Sequence, residues 1–237
     1  MRNLKYTTIV LVFFAVNAFA QNHGSIQYTM ERFEKFTNPR IVKHNADGKL
    51  KEKFKSDSIA MAEFDGTKDY FTLDFNAESA YFYVHDLNDE MLELIKRNVL
   101  SSIRHYYKNR VEDKNFKLYD ISDENPHLLE MDEFSNRDWV ITKETKEIEG
   151  YTCTKAILIE EFESDYPTYA WFTDEIDLEY GLLDLHGLPG VVLGLEVNHV
   201  YIFATSIDFR QKPTIEWPDL PKLDMKEHVE MMGYSVD

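Results

Sequence analysis

The chain has 237 residues, with 26 Lys and Arg against 43 Asp and Glu, which gives a formal net charge of −17. A surface this acidic repels phosphate backbones and anionic lipid head groups, so binding to nucleic acid or to a membrane surface is disfavoured. Its single cysteine, Cys153, excludes an internal disulfide, so an apolar core must hold the fold together. The 43% of hydrophobic residues provide the material for such a core.

The first twenty residues predict a cleavable secretory signal peptide. Two basic residues precede an apolar run over residues 9–20, which ends in Ala18-Phe19-Ala20, with small residues at the positions that signal peptidase reads. A membrane-spanning helix needs about 20 apolar residues, and no second long apolar stretch follows. We therefore expect an exported protein of the periplasm or cell envelope, or a secreted one, without a transmembrane segment after cleavage. The mature chain would begin at Gln21, with 217 residues and a net charge of −19, from 24 basic and 43 acidic residues.

Most of the mature sequence alternates apolar and polar residues with a period of two, as half-buried β-strands do. This pattern predicts strands near residues 26–31, 71–75, 80–84, 139–147, 151–161, 168–173, 191–197 and 200–209. Glu149 and Gly150, between two of these strands, predict a hairpin turn. The segment 211–237 contains three prolines and is expected to be extended.

One segment, residues 88–109, has a helical period instead. Its apolar residues recur at helical spacings: Met91, Leu94, Ile95, Val99 and Ile103. Acidic residues near its start and basic residues near its end favour the helix dipole. Strands, one amphipathic helix and further strands, without a linker, predict a single α+β domain over residues 21–237 with a mainly antiparallel, curved sheet. By fold analogy, such a sheet can form a half-barrel like those of lipoprotein carriers.

Residues that could carry chemistry are few. The sequence lacks the common nucleophile, phosphate-binding and zinc-binding motifs. Acidic clusters at residues 160–165 and 174–179 could act as acid and base or hold a hard cation, but crowded carboxylates are more often simply solvated. His186 and His199 flank one predicted hairpin, yet a metal site would need a third ligand. We therefore predict no catalytic residue, no metal site and no cofactor.

Cys153 has a catalytic and a structural interpretation. Lys155 lies two residues away on the same strand face, where its charge could lower the pKa of the thiol and favour a nucleophilic thiolate. Tyr151, Ile157 and Ile159 share that face, however, and such a face is typical of a core. Because a free cysteine most often behaves as a small buried apolar residue, we favour the structural interpretation.

The sharpest local signal is the apolar segment at residues 187–191. Proline presets the second position of a β-turn and glycine suits the positive φ of the third, which predicts a type II turn with Gly190 at positive φ. Surface turns rarely carry a leucine followed by branched residues, so we expect Leu188 and residues 191–193 to face the interior. A turn that contacts a ligand is the alternative.

The same residues resemble the GLPGLI family, exported proteins of the Bacteroidota that are named for a hexapeptide. That hexapeptide stands here as Gly187-Leu188-Pro189-Gly190-Val191-Val192. Other matching positions precede it: Trp139, Lys146, Gly150, Tyr151, Cys153, Lys155, Ala156, Trp171 and Gly181. The sequence departs from the family pattern at Leu182, where proline is usual, and at Leu185, where an aromatic residue is common.

The resemblance is strong over residues 138–197 and implies an envelope location, with no known catalytic residue. Because the family's genes often lie near those of outer-membrane TonB-dependent receptors, it also implies a role in uptake or envelope traffic. We therefore expect a non-enzymatic binding or accessory protein linked to outer-membrane transport, whose partner is such a receptor. By analogy with the lipoprotein-carrier half-barrels, and in line with the 14% of aromatic residues, an apolar small ligand is the other expected partner. The alternative is a periplasmic, hydrolase-like enzyme that uses the acidic clusters or Cys153.

Overall fold

The structure, a computed structural model, describes residues 22–32, 68–85, 105–119, 125–131, 137–159, 168–183, 185–197 and 200–234. The strands in these ranges are β1 Gly24–Arg32, β2 Phe71–Phe75, β3 Ser79–Val84, β4 His105–Asn109, β5 Lys114–Tyr119, β6 His127–Glu130, β7 Trp139–Ile148, β8 Tyr151–Leu158, β9 Tyr169–Thr173, β10 Val191–Val197, β11 Val200–Asp208 and β12 Lys222–Leu223. One short helix, α1, spans Met225–Met231.

All twelve strands belong to one curved, unclosed sheet with the order β12-β6-β5-β4-β3-β2-β1-β11-β10-β9-β8-β7. The first strand lies in the middle, where β1 pairs with β2 on one side and with β11 on the other. Within the described residues every pairing between these strands is antiparallel except that of β12 with β6. The predicted class, α+β with a mainly antiparallel curved sheet and one helix, is therefore confirmed, although the described helix lies at Met225–Met231 and not in the predicted segment.

One face of the sheet carries the main core. Ile26, Tyr28 and Met30 alternate along β1 and are fully buried, as the period-two pattern predicted. The segment between β9 and β10 packs against the same core through six buried side chains: Ile176, Leu178, Tyr180, Leu182, Leu183 and Leu188. The chain's own loop thus covers part of this face of the sheet.

A second, smaller core lies on the opposite face, because neighbouring residues of a strand point to opposite sides. Tyr106 belongs to the main core, whereas Tyr107 packs with Phe116 in the smaller one. The segment 211–234, which we call the C-terminal strap, covers this second core with Trp217, whose indole N–H donates to Ser79 Oγ at 3.1 Å.

Two predictions about secondary structure need correction. Residues 105–109 of the predicted helix form β4, which pairs with β3 and β5, while residues 86–104 lie outside the described part. Strand partners that are distant in sequence decide the conformation here. The strap is not extended throughout, because Asp224 and Glu227 form a capping box that starts α1.

Two further predictions bear on the chain ends and the turns. The predicted signal peptide lies outside the described residues, and no helix within them is long and apolar enough to cross a membrane. The hairpin turn between β7 and β8 is confirmed, since Glu149 has a φ of 49° and Gly150 a φ of 81°. Positive φ at both central residues is characteristic of a two-residue hairpin loop.

Candidate functional site

The apolar segment at residues 187–191 forms a turn of a different type from the one predicted. The Gly190 N–H donates to the Leu188 carbonyl at 2.9 Å, which closes a three-residue γ-turn around Pro189. Proline fixes φ near the value that the centre of an inverse γ-turn requires. Positive φ occurs at Gly187, at 98°, and not at Gly190, so the predicted type II turn is wrong.

Glycine is nevertheless required at position 190, for a different reason. A Cβ atom there would lie 2.2 Å from the carbonyl oxygen of Thr173, at the end of β9. The predicted burial of Leu188 and residues 191–193 is confirmed, because all four side chains lie in the main core. The turn is therefore held in place by the burial of its apolar side chains and by the close approach of Gly190 to the Thr173 backbone.

His186 fastens this loop to the start of β7. Its Nδ1 accepts the Gly181 N–H at 3.1 Å, and its carbonyl oxygen accepts the Arg137 N–H at 3.1 Å and the Trp139 indole N–H at 2.8 Å. Burial, with a smaller effect from the charge of Lys108, lowers the pKa of the ring to about 3. Because the His186 ring is neutral and its Nδ1 is occupied, it is a poor base, and we interpret it as structural. His199, which was expected to approach it, lies outside the described residues.

A pocket of about 300 Å³ lies beside this turn. Its walls come from the β4–β5 hairpin and from the segment before β10. The polar residues that we consider for ligand binding are Lys108, Asp113, Asn115, Glu179 and Tyr180. Gly187 and Pro189 line the same pocket, so the turn singled out in the sequence forms part of its wall.

The pocket is lined by charged groups and by Tyr180, whose hydroxyl is buried. Lys108 is only 8% exposed, and its Nζ lies 2.7 Å from Oδ1 of Asp113. Tyr180 is 1% exposed, and its hydroxyl makes no hydrogen bond to any residue of the described ranges. Burial raises the pKa of this phenol well above its usual value, so the hydroxyl keeps its proton and can donate it to a hydrogen bond.

The lysine and tryptophan positions of the family resemblance meet elsewhere, in a cluster on β7 to β11. The Lys146 ammonium lies 4.1 Å from the centroid of the Trp171 ring and 4.3 Å from that of Tyr201, and it donates to the Tyr201 hydroxyl at 2.7 Å. The Trp171 indole N–H donates to Glu196 Oε1 at 2.8 Å, and that oxygen lies 3.9 Å from Lys146 Nζ. Because the polar groups of this cluster bind one another, we interpret it as structural.

Cys153 lies beneath this cluster, directly opposite Lys146 in the β7–β8 pairing. Its side chain is fully buried, and burial raises the pKa of the thiol to about 11, although the charge of Lys146 acts in the opposite direction. Lys155, the expected activator, instead bonds to Glu144 at 3.1 Å and lies over the Tyr169 ring. The geometry therefore agrees with the structural interpretation of Cys153.

Native Cys153 is expected to resist alkylation at pH 7.5. With a pKa of about 11, roughly one thiol in several thousand is ionised at that pH, and the side chain is shielded from the reagent. Mass spectrometry after iodoacetamide treatment should show an unmodified native protein and complete labelling in denaturant. Labelling of the native protein at the rate of free cysteine would contradict the burial of this thiol.

Of the two acidic clusters, only Glu179 lines the pocket among the described residues. Residues 160–167 lie outside them, and the acids of the second cluster are exposed: Asp174, Glu175, Asp177 and Glu179. Glu175 accepts the Thr152 N–H at 3.1 Å, which ties the β9–β10 loop to β8. Within the described ranges no three His, Cys, Asp or Glu side chains are grouped so that they could hold a metal ion.

Comparison with known proteins gives a likeness of fold. No family model and no curated protein matches the chain. Two crystal structures of PNGF-II, determined in different space groups, match 90% and 89% of this chain with TM-scores of 0.56 and 0.55. Both are 13% identical to it, and the match covers 33% and 32% of their length, so this chain spans about a third of those proteins. At this identity the similarity shows the fold alone.

Proposed function

We propose that the chain is a non-enzymatic binding or accessory protein of the cell envelope, linked to outer-membrane transport, and that it binds a small polar ligand beside residues 187–190. The pocket of about 300 Å³ carries this proposal, because it places the Lys108–Asp113 ion pair beside Tyr180, whose buried hydroxyl has no partner within the described residues. A buried hydroxyl without a partner costs about 1–3 kcal/mol, which a ligand acceptor would recover.

The lining favours a polar ligand over the apolar ligand that the aromatic composition suggested. An apolar molecule would remove Lys108 and Asp113 from water without offering them hydrogen bonds, which is unfavourable. With Glu179 included, the lining holds one ammonium and two carboxylates, so a neutral or amine-bearing ligand fits better than an anion. The volume lies at the lower end of the range for small-molecule sites.

The alternative, a hydrolase-like enzyme, has less support. Cys153 is buried with a raised pKa, His186 is neutral with its Nδ1 occupied, and only Glu179 of the exposed 174–179 acids lines the pocket. Nucleophilic or acid–base catalysis needs an accessible group in the right protonation state beside the substrate. Export and association with a TonB-dependent receptor rest on the signal-peptide pattern and the family resemblance, and they stay predictions.

Removing one hydroxyl tests the pocket. Tyr180→Phe deletes the unpartnered oxygen and should leave the melting temperature unchanged or slightly higher, while it weakens ligand binding about 2- to 10-fold, the value of one neutral hydrogen bond. Binding is measured as the thermal shift produced by a panel of glucose, N-acetylglucosamine, glycine and putrescine, followed by titration calorimetry of the solutes that act.

Tyr28→Phe is the matched control, because it also removes a buried phenol oxygen, but one that donates to the Val192 carbonyl at 3.0 Å. This variant should lower stability by about 1 kcal/mol and leave the affinity unchanged. Equal affinity loss in both variants, or a panel in which no solute shifts the melting temperature, would count against the pocket as the binding site.

A further inference from the structure

The C-terminal helix is joined to the sheet by a hydrogen bond between two buried imidazoles. Nε2 of His127, on β6, lies 2.9 Å from Nδ1 of His228, on α1, and the two residues are 2% and 9% exposed. The Tyr119 ring stacks on His127 at a centroid distance of 5.0 Å and lies tilted against His228 at 4.6 Å. Since His228 is the only buried residue of α1, this pair is the main anchor of the helix.

The hydrogen bonds fix where the protons of the pair lie. His127 Nδ1 is 2.8 Å from the Asn125 carbonyl oxygen, which can only accept, so Nδ1 carries a proton. Neutral His127 therefore accepts through Nε2, and His228 donates through Nδ1. If both rings were fully protonated, two N–H groups would face each other at this contact. The docked pair can thus hold one added proton but not two.

The surroundings of the pair add positive charge. Lys117, on β5, lies 5.4 Å from the Tyr119 ring centroid, and Lys222, on β12, lies over the rings of Phe116 and Trp217. Burial first, and then the charges of His127 and Lys117, lower the pKa of His228.

The carboxylates of α1 and of its N-cap already have partners. Asp224 and Glu227 bond to each other's backbone in the capping box, and Glu230 lies 3.9 Å from Lys226. They offer little compensation to a second imidazolium.

We propose that the His127–His228 pair is a pH-sensitive switch: mild acidification releases α1 and β12 from β6 while the remaining sheet stays folded. The release is local because β12 has only two residues and α1 buries little else. Trp217 and its hydrogen bond to Ser79 hold the preceding part of the strap independently of the pair. This switch does not depend on the ligand pocket.

The direction of the pH response follows from the protonation of His228. Its pKa is lowered in the docked state, so docking contributes fully above the ordinary value of 6.5 and loses strength as the pH falls below it. Between pH 7.5 and 5.5, one histidine that cannot be charged in the docked state shifts the equilibrium about tenfold towards release. Carboxylates, which ordinarily titrate near pH 4, stay ionised over this interval.

Hydrogen exchange measured by mass spectrometry tests the switch. After correction for intrinsic exchange rates, amides of residues 228–231 should lose about tenfold protection between pH 7.5 and 5.5, and those of β1 and β11 should not. The double variant His127→Phe/His228→Phe keeps aromatic rings against Tyr119 without titrating groups, so its α1 should show no such pH dependence. His23→Phe removes a histidine that bonds to its neighbour Asn22 and should behave like the wild type.

Wild-type protection that is constant over this interval, or an unchanged response in the double variant, overturns the proposal. If α1 of the double variant is unprotected already at pH 7.5, the Lys117→Gln variant tests the switch instead, through the pH midpoint of helix release. Removing this neighbouring positive charge should let His228 take up a proton with less loss of docking, so the midpoint of release should move to lower pH. A midpoint that stays in place or rises shows that protonation of the pair does not control the helix.

Discussion

Gly190→Ala is expected to lower the free energy of unfolding by about 3 kcal/mol or more. The added Cβ would lie 2.2 Å from the Thr173 carbonyl oxygen and 2.8 Å from its carbon, and both are backbone atoms that no rotamer change can move. Relief requires β9 and β10 to separate at their paired ends, where Val191 lies opposite Thr173. Overpacking of a core typically costs 1–3 kcal/mol, and a backbone clash belongs at the upper end of that range. Urea denaturation of both proteins measures the difference.

Two substitutions separate this clash from general effects of the turn. Gly150 has a φ of 81° but open space around its Cβ position, so Gly150→Ala should cost only about 1–2 kcal/mol, through backbone conformation. Pro189 is exposed, and Pro189→Ala should cost less than about 1 kcal/mol, because it mainly frees the unfolded chain. If Gly190→Ala cost no more than Gly150→Ala, the close approach would not be the reason for this glycine.

Eight of the twelve described strands were predictable because their signals are local, whereas β4, β5, β6 and β12 were missed. Alternation along β1 places Ile26, Tyr28 and Met30 in the core, and this pattern can be read without knowing the partner strands. The Glu149-Gly150 turn was equally readable, because positive φ at both central residues is a property of that short segment. The burial of Leu188 also followed from its own neighbours in the sequence.

The errors arise where distant segments decide the local structure. Leu188, Pro189 and Gly190 are suited to a type II turn by themselves, but contact with Thr173, seventeen positions away from Gly190, selects a γ-turn without positive φ at the glycine. Pairing with β3 likewise makes residues 105–109 a strand. The start of α1 was a missed local signal, since Asp224 and Glu227 have the spacing of a capping box.

The candidate pocket could not be predicted from the sequence. Lys108 and Asp113 come from a hairpin that had been assigned partly to a helix, and Tyr180 had not been singled out in the sequence. No spacing rule connects residues 70 positions apart, and it is the folding of the 174–190 segment over the main core that brings them together. A pocket formed by residues this far apart in the sequence can be identified only when the topology is known.

The positions that carry the family resemblance separate into two structural units. Trp139 ties the β9–β10 loop to the start of β7 through the His186 carbonyl, and Gly190 holds the same loop against Thr173 at the end of β9. Lys146 and Trp171 form the charged aromatic cluster above Cys153. Both units fix the shape of this half of the sheet, and the first also forms a wall of the pocket.

Trp171→Ala is expected to lower the free energy of unfolding by about 3–5 kcal/mol, the usual range for removing a large buried aromatic side chain. The loss includes the ring beneath the Lys146 ammonium and the donor to Glu196. Trp171→Phe keeps an aromatic face for the ammonium but removes the indole N–H, so it should cost about 1.5–3 kcal/mol, the value of a hydrogen bond to a charged group. Denaturant unfolding gives both values.

A double-mutant cycle isolates the contact between the ring and the ammonium. Lys146→Met keeps a side chain of similar length over Trp171 and Tyr201 and removes the charge. Combined with Trp171→Ala, it should show a coupling of about 0.5–2 kcal/mol, because a partly desolvated cation over an indole is bound by the electrons of the ring. Glu144→Ala is the matched control, since its partner Lys155 lies 5.7 Å from the Trp171 centroid, and it should couple weakly. Additive effects of Lys146→Met and Trp171→Ala would show that the ammonium is held by Tyr201 and Glu196 alone, so that Trp171 contributes only as an apolar side chain.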